Sequence, residues 1–169
     1  MKIFLDMDGV ICDWARGVKE LGPEAAAGLG ENATEADKQI MYKAINEAGE
    51  SWWANLKWTD DGKELWKIVE KFNPILLSSP GKFEEAASGK QMWVKNNLPG
   101  TSLFLSEKKS EYIDPYELSV LIDDKRNNIG AWEECGGEGI LHTSTPETER
   151  KFLELLWNVP DLDPSKIYW

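Results

Sequence analysis

Two pairs of aspartates stand directly behind apolar runs: Asp6 and Asp8 follow Ile3-Phe4-Leu5, and Asp123-Asp124 follow Val120-Leu121-Ile122. Side chains alternate along a strand, so Asp6 and Asp8 point to the same side where the chain leaves a sheet, and such a pair can hold a hard cation. Taken singly, an Asp after a strand is also an ordinary turn former. The second pair favours chemistry, because four acids at one sheet edge would repel one another unless a cation sat among them. Ligation by oxygen alone favours magnesium over zinc. A third strand end supplies complementary groups, since Ile75-Leu76-Leu77 leads into Ser78-Ser79-Pro80-Gly81-Lys82. Hydroxyls and free N–H groups at a helix start can cradle a phosphate, and Lys82 or Lys90 can neutralise it. Alone, that segment also reads as a plain turn. Together the three strand ends describe a metal, a nucleophile and a phosphate clamp.

The elements that must position these groups follow from hydrophobic patterning. Besides the three runs above, Leu103-Phe104-Leu105 and Ile140-Leu141 are short and continuous, which predicts strands buried on both faces. Between them lie helical stripes: Leu65, Ile68, Val69 and Phe72; then Phe83, Ala86, Ala87, Trp93 and Val94; then Ile129 and Trp132; and last Phe152, Leu155 and Leu156, opened by Thr145 as cap with Pro146 in the first turn. Alternating strands and helices predict an α/β fold, a parallel sheet with helices on both faces, which binds ligands at the carboxyl ends of its strands. One interval is too long for a single crossover, from about residue 7 to residue 73. It predicts an inserted, mainly helical cap. Within it Thr34 to Asp37 resembles a capping box before a helix reaching about Ala48, with breaks at Gly22-Pro23 and Gly49-Glu50. The expected division is a core of residues 1–13 and 67–159, a cap of 14–66, and a Pro-punctuated tail of 160–169 lying on the core.

Size and charge narrow the partners. A chain of 169 residues can bury a full core without disulfide or structural metal. The two cysteines, Cys12 and Cys135, have no C-x-x-C spacing and no charged-then-apolar leader is visible, so a reducing cytoplasm is the expected setting. No apolar run approaches the roughly 20 residues of a membrane helix. A formal net charge of -11 disfavours long nucleic acid, whose binding depends on neutralising phosphates, and leaves a small phosphorylated substrate. Oligomeric state is left open, a homodimer being one option.

These residues resemble the haloacid dehalogenase superfamily of phosphohydrolases. The D-x-D-G-V run at Asp6 to Val10 is similar to its first motif, Ser78 to its second, Lys90 to its third and Asp123-Asp124 to its fourth, in that order. The resemblance implies a three-layer, Rossmann-like sheet with the Asp6 strand central, flanked by the Ser78 and Asp123 strands. A narrower likeness is to the 5'(3')-deoxyribonucleotidases, carried by Val10-Ile11-Cys12-Asp13-Trp14, by Ser78-Ser79-Pro80-Gly81-Lys82, by Lys90 to Lys95 and by Leu105 to Lys109. The sequence departs from that family with Ser78 where a Thr is usual, Glu107 where a basic residue is usual, and a shorter lysine-bearing helix.

The resemblance implies a phosphatase of nucleoside monophosphates, another small ester such as a sugar phosphate being the alternative and a non-catalytic nucleotide binder a further one. In it Asp6 is the nucleophile that forms an aspartyl-phosphate, and Asp8 is the general acid and then base. Magnesium is held by Asp6, the Asp8 backbone carbonyl, Asp123 and, through water, Asp124. Ser78, Ser79, Lys82 and Lys90 bind phosphate, Lys90 also tethering Asp6, and Lys109 faces substrate. Lys82, Lys108 and Lys109 compete with Lys90 for the third-motif role; Lys90 is preferred because it falls on or beside an apolar helical stripe. Trp14 and Trp53 are the candidates for stacking on a base, although a small cap also needs tryptophans for its own core. His142 reads as structural and Cys12 as a packing residue.

Overall fold

In the computed structural model, which describes residues 1–159, the apolar runs form strands β1 (Lys2–Leu5), β2 (Ile75–Ser78), β3 (Leu103–Leu105), β4 (Ser119–Asp123) and β5 (Glu138–Leu141). They make one parallel sheet in the order β3-β2-β1-β4-β5. The Asp6 strand is therefore central, between the strands that end at Ser78 and Asp123. Leu5 is level with Leu76 on one side and Ile122 on the other. The register continues past the strand, because the Asp6 N–H donates to the Ile122 carbonyl at 2.9 Å. Asp6 and Asp123 thus leave the sheet side by side.

The two faces are unequal. Ile3, Leu5, Leu76, Val120 and Ile122 pack with Leu65 and Val69 of helix α4 (Gly62–Val69), Trp93 and Val94 of α5 (Glu84–Asn97), and Phe152 and Leu156 of α7 (Thr145–Trp157). Alternate residues, Phe4, Leu77 and Leu121, meet Ile129 and Trp132 of α6 (Arg126–Glu134). Phe4 and Trp132 meet edge to face at 5.2 Å, and the Trp132 indole N–H donates to the Ser119 carbonyl, so this large side chain is buried without an orphaned donor. Burial on both faces holds for the inner strands and fails at β3. There Phe104 is exposed on the sheet edge and stacks on Tyr112, because an edge strand needs no second covering layer.

The insertion between β1 and β2 carries α1 (Trp14–Glu20), α2 (Pro23–Ala27) and α3 (Glu35–Ala54). The Thr34–Asp37 capping box is present, and α3 is interrupted at Gly49, where φ is 67°. Its last turn lies directly on α5: a Cβ on Gly89 would stand 2.4 Å from the Trp53 Cβ, so only glycine admits this contact. α4 packs on α7. α7 begins one residue earlier than expected, with Ser144 as the capping position. The Thr145 N–H is satisfied from outside the helix by the Asp61 carboxylate at 2.7 Å, a long-range partner that no local pattern announces. The tail of 160–169 lies outside the described residues.

Candidate active site

A tight loop delivers the first acid pair. The Met7 carbonyl accepts N–H groups from Val10, Ile11 and Cys12, and Gly9 turns with φ +83°. Asp13 then caps α1 by accepting the Arg16 N–H at 2.9 Å, which makes Trp14 the first helical residue. At the floor, Asp6, Asp123 and Asp124 each offer a carboxylate oxygen within 4.8 Å of the others. Asp123 is held by the Lys125 N–H on Oδ1 and by the Asn128 amide and Lys109 on Oδ2, at 2.8, 2.8 and 2.5 Å. Asp124 approaches closely because residue 9 is glycine; a Cβ there would meet its Oδ2 at 2.4 Å. Burial and the neighbouring Asp6 charge push the Asp124 carboxyl up to about 6.

These residues fit a hard divalent cation. Asp6 Oδ1 and Asp124 Oδ1 are buried with no hydrogen-bond donor. Lys109 is 2.8 Å from Asp6 Oδ1, an ion-pair contact without hydrogen-bond alignment. Oxygen ligands with open lone pairs on converging carboxylates are what magnesium or calcium takes. The Asp8 side chain is not in this group.

Asp8 faces Lys90 instead. Lys90 is 2% exposed, placed inward by the α5 stripe of Ala86, Gly89, Trp93 and Val94. Its ammonium reaches Asp8 Oδ2 at 2.7 Å, Ser78 Oγ at 3.0 Å and the Ser79 carbonyl at 2.8 Å, which uses all three of its N–H groups. Burial holds the Asp8 carboxyl above its ordinary value although Lys90 pulls it down, and the Asp6 charge adds to the rise.

The remaining expected residues fall in several places. Lys109, expected to face substrate, is instead buried against Asp6 and Asp123, where Lys90 was expected to reach; the Lys109–Tyr112 3-10 turn behind β3 carries it under the floor. The Ser79 hydroxyl donates to Glu107 at 2.6 Å and accepts the Gly81 N–H, so it is turned from the floor. Lys82 lies over the Tyr42 ring at 3.7 Å, linking the β2 loop to α3 across the mouth. Trp14 and Trp53 both line a cavity of ≈ 530 Å³ above Asp8 and Asp124, with Tyr42, Ile45 and Phe83 completing its apolar side.

Sequence reasoning did not single out Gly9, Tyr42, Lys125 or Asn128 for this site. Asn128 had one available signal, standing five residues beyond the strand-end Asp123 in the first turn of the following helix. Tyr42 had none, because its place depends on how α3 lies on the core. His142 is buried against Thr148 at 2.9 Å and does not line the cavity. Burial pushes the Cys12 thiol well up, as befits a packing residue.

No family model matches the chain, and neither does any curated protein. Solved structures with a similar fold include a hydrolase from Pseudomonas syringae, at 15% identity over 88% of each chain with TM-score 0.50. Others are a haloacid dehalogenase-like family hydrolase from Streptococcus pneumoniae, at 14% identity over 83% of each chain with TM-score 0.52, and protein tyrosine kinase A of Mycobacterium tuberculosis, at 13% identity over 82% of each chain with TM-score 0.56. At such identities the likeness is one of fold. Sheet order, insertion point and these neighbours define a haloacid dehalogenase-like α/β fold. Hydrolase and kinase both appear among the neighbours' names, so the reaction has to be argued from the site. Among the described residues no helix is long and apolar enough to cross a membrane.

Proposed function

We propose that the protein is a magnesium-dependent phosphomonoester hydrolase that acts through an aspartyl-phosphate on Asp6, and that its substrates are (deoxy)ribonucleoside monophosphates. The observation that carries this reading is the convergence of Asp6, Asp123 and Asp124 within 4.8 Å, with donor-free buried oxygens on Asp6 and Asp124, beside an Asp8 held by Lys90.

The Asp6 carboxylate attacks phosphorus, the bond from phosphorus to the alcohol oxygen breaks, and Asp8 gives that oxygen its proton. A carboxyl kept above its ordinary value by burial is suited to donate. Asp8, now ionised beside Lys90, takes a proton from water as the water oxygen attacks the aspartyl-phosphate. The phosphorus bond to Asp6 then breaks, releasing inorganic phosphate and restoring the carboxylate. Magnesium on Asp6, Asp123 and Asp124 would supply charge neutralisation for the transferring group. Lys90 acts by fixing Asp8 and Ser78. The aromatic wall of Trp14, Trp53 and Tyr42 suits a planar base, and with the sequence likeness to 5'(3')-deoxyribonucleotidases it favours nucleotides.

The proposed partners are thus small phosphate esters in a cytoplasmic setting. Phosphate release from a panel of nucleotides and sugar phosphates tests the reading, with magnesium and with chelator, for wild type and Asp6→Asn. Magnesium-dependent release from nucleotides, lost in Asp6→Asn, is expected. Release from sugar phosphates alone overturns the substrate class, and activity retained by Asp6→Asn overturns the mechanism.

A further inference from the structure

Glu107 stands two residues beyond β3 and lines the same cavity as Asp8 and Asp124. Its Oε1 accepts the Ser79 hydroxyl at 2.6 Å, and among the described residues no cation pairs with it. The other acids lining the cavity are compensated or belong to the cation group: Asp8 has Lys90 at 2.7 Å, and Asp124 stands with Asp6 and Asp123. Lys82, close by in the loop after β2, is engaged with the Tyr42 ring. Glu107 therefore presents a carboxylate whose charge only a neutral hydroxyl attends. Its position relative to the reaction is fixed through Ser79, whose carbonyl holds Lys90, which in turn holds Asp8. Glu107 thus borders the cavity on the side of the Ser79, Lys90 and Asp8 chain.

We propose that Glu107 determines specificity at this site, accepting hydrogen bonds from sugar hydroxyls beside the scissile phosphate and repelling substrates that carry a second phosphate there. The assignment rests on the phosphomonoesterase reading and names what that site selects. An ionised carboxylate accepts and cannot donate, so it favours a hydroxyl and opposes another anion; Glu107 is exposed, and solvent screens that preference without abolishing it. A site built to hydrogen-bond a hydroxyl rejects a ligand that cannot supply it far better than an apolar wall does.

Equilibrium binding reads the effect directly. In an Asp6→Asn background, which removes the proposed nucleophile, tryptophan fluorescence follows titration with a nucleoside 5'-monophosphate and with the matching 3',5'-bisphosphate, because Trp14 and Trp53 line the cavity. With Glu107 present the monophosphate is expected to bind at least about tenfold tighter; with Glu107→Gln, which keeps size and acceptor but loses charge, the ratio should fall to within about threefold. A ratio unchanged by Glu107→Gln overturns the assignment. Ribose 5-phosphate and ribose 1,5-bisphosphate are titrated in parallel. A Glu107-dependent ratio in the sugar pair with no nucleotide binding overturns the nucleotide reading and leaves the role of Glu107 standing. Absence of binding by both pairs overturns both.

Discussion

The ammonium of Lys109 lies 2.8 Å from Oδ1 of Asp6 in a place where neither side chain is more than 6% exposed. The same ammonium reaches Asp123 at 2.5 Å, so one lysine sits between two carboxylates from adjacent strands. Without it Asp6 is buried with little compensation and Asp123 keeps only the neutral Lys125 N–H and Asn128 amide, and breaking a buried pair costs about 3–5 kcal/mol. Lys109→Met should lower the melting temperature by on the order of 10 °C in chelator and recover part of that loss with magnesium. Thermal melts in the two conditions check this. An equal fall in both would mean that Lys109 and the cation do not share a task.

Lys90 spends its three N–H groups on protein acceptors. Lys90→Met should therefore act on the rate, lowering kcat by about 10²–10⁴-fold with a much smaller change in KM. Steady-state kinetics on one nucleoside monophosphate separates the two. An effect confined to KM would show that Lys90 binds the phosphate directly.

Gly9 combines a positive φ with a close approach to Asp124. Gly9→Ala adds backbone strain of about 1–2 kcal/mol and forces the Asp124 carboxylate away. Magnesium affinity, measured by calorimetric titration, should weaken by roughly 10–100-fold, the usual effect of disturbing what orients a metal ligand. Unchanged affinity would remove Asp124 from the cation group.

Much of this site is legible in the chain because acids directly behind short apolar runs must emerge at one edge of a parallel sheet. Asp6 and Asp123 meet for that reason, and their register follows from Leu5 standing level with Ile122. Lys90 is legible in part: its stripe on α5 announces an inward lysine, but which acid it meets depends on the exit angle of the loop at Gly9. Lys109 is not legible, since a 3-10 turn behind an edge strand carries no periodicity to show which way its side chain points. Lys82 and Tyr42 meet only because α3 lies against α5 through Gly89, a tertiary contact without a local signature. The Asp61 carboxylate at the start of α7 belongs to the same class.

Burial lowers the His142 imidazole below its ordinary value of 6.5, with Asp61 opposing in part. Between that lowered native value and about 6.5 the unfolded chain binds a proton that the native chain does not, so the contribution is full above the window and shrinks as pH falls through it. The raised carboxyls of Asp8 and Asp124 act with the opposite sign. The difference between wild type and His142→Gln isolates the imidazole: urea unfolding at several pH values should show a shallower acid-side loss of stability in the variant. Parallel curves would contradict the assignment.

Trapping the covalent intermediate tests the central claim most directly. A nucleoside monophosphate labelled in its phosphate is mixed with enzyme and magnesium, quenched in acid within one turnover, and the labelled peptide is mapped. The label should fall on Asp6, and should be absent when chelator replaces magnesium. Phosphate release in the same time course with no protein-bound label, or label on a residue other than Asp6, would contradict the account.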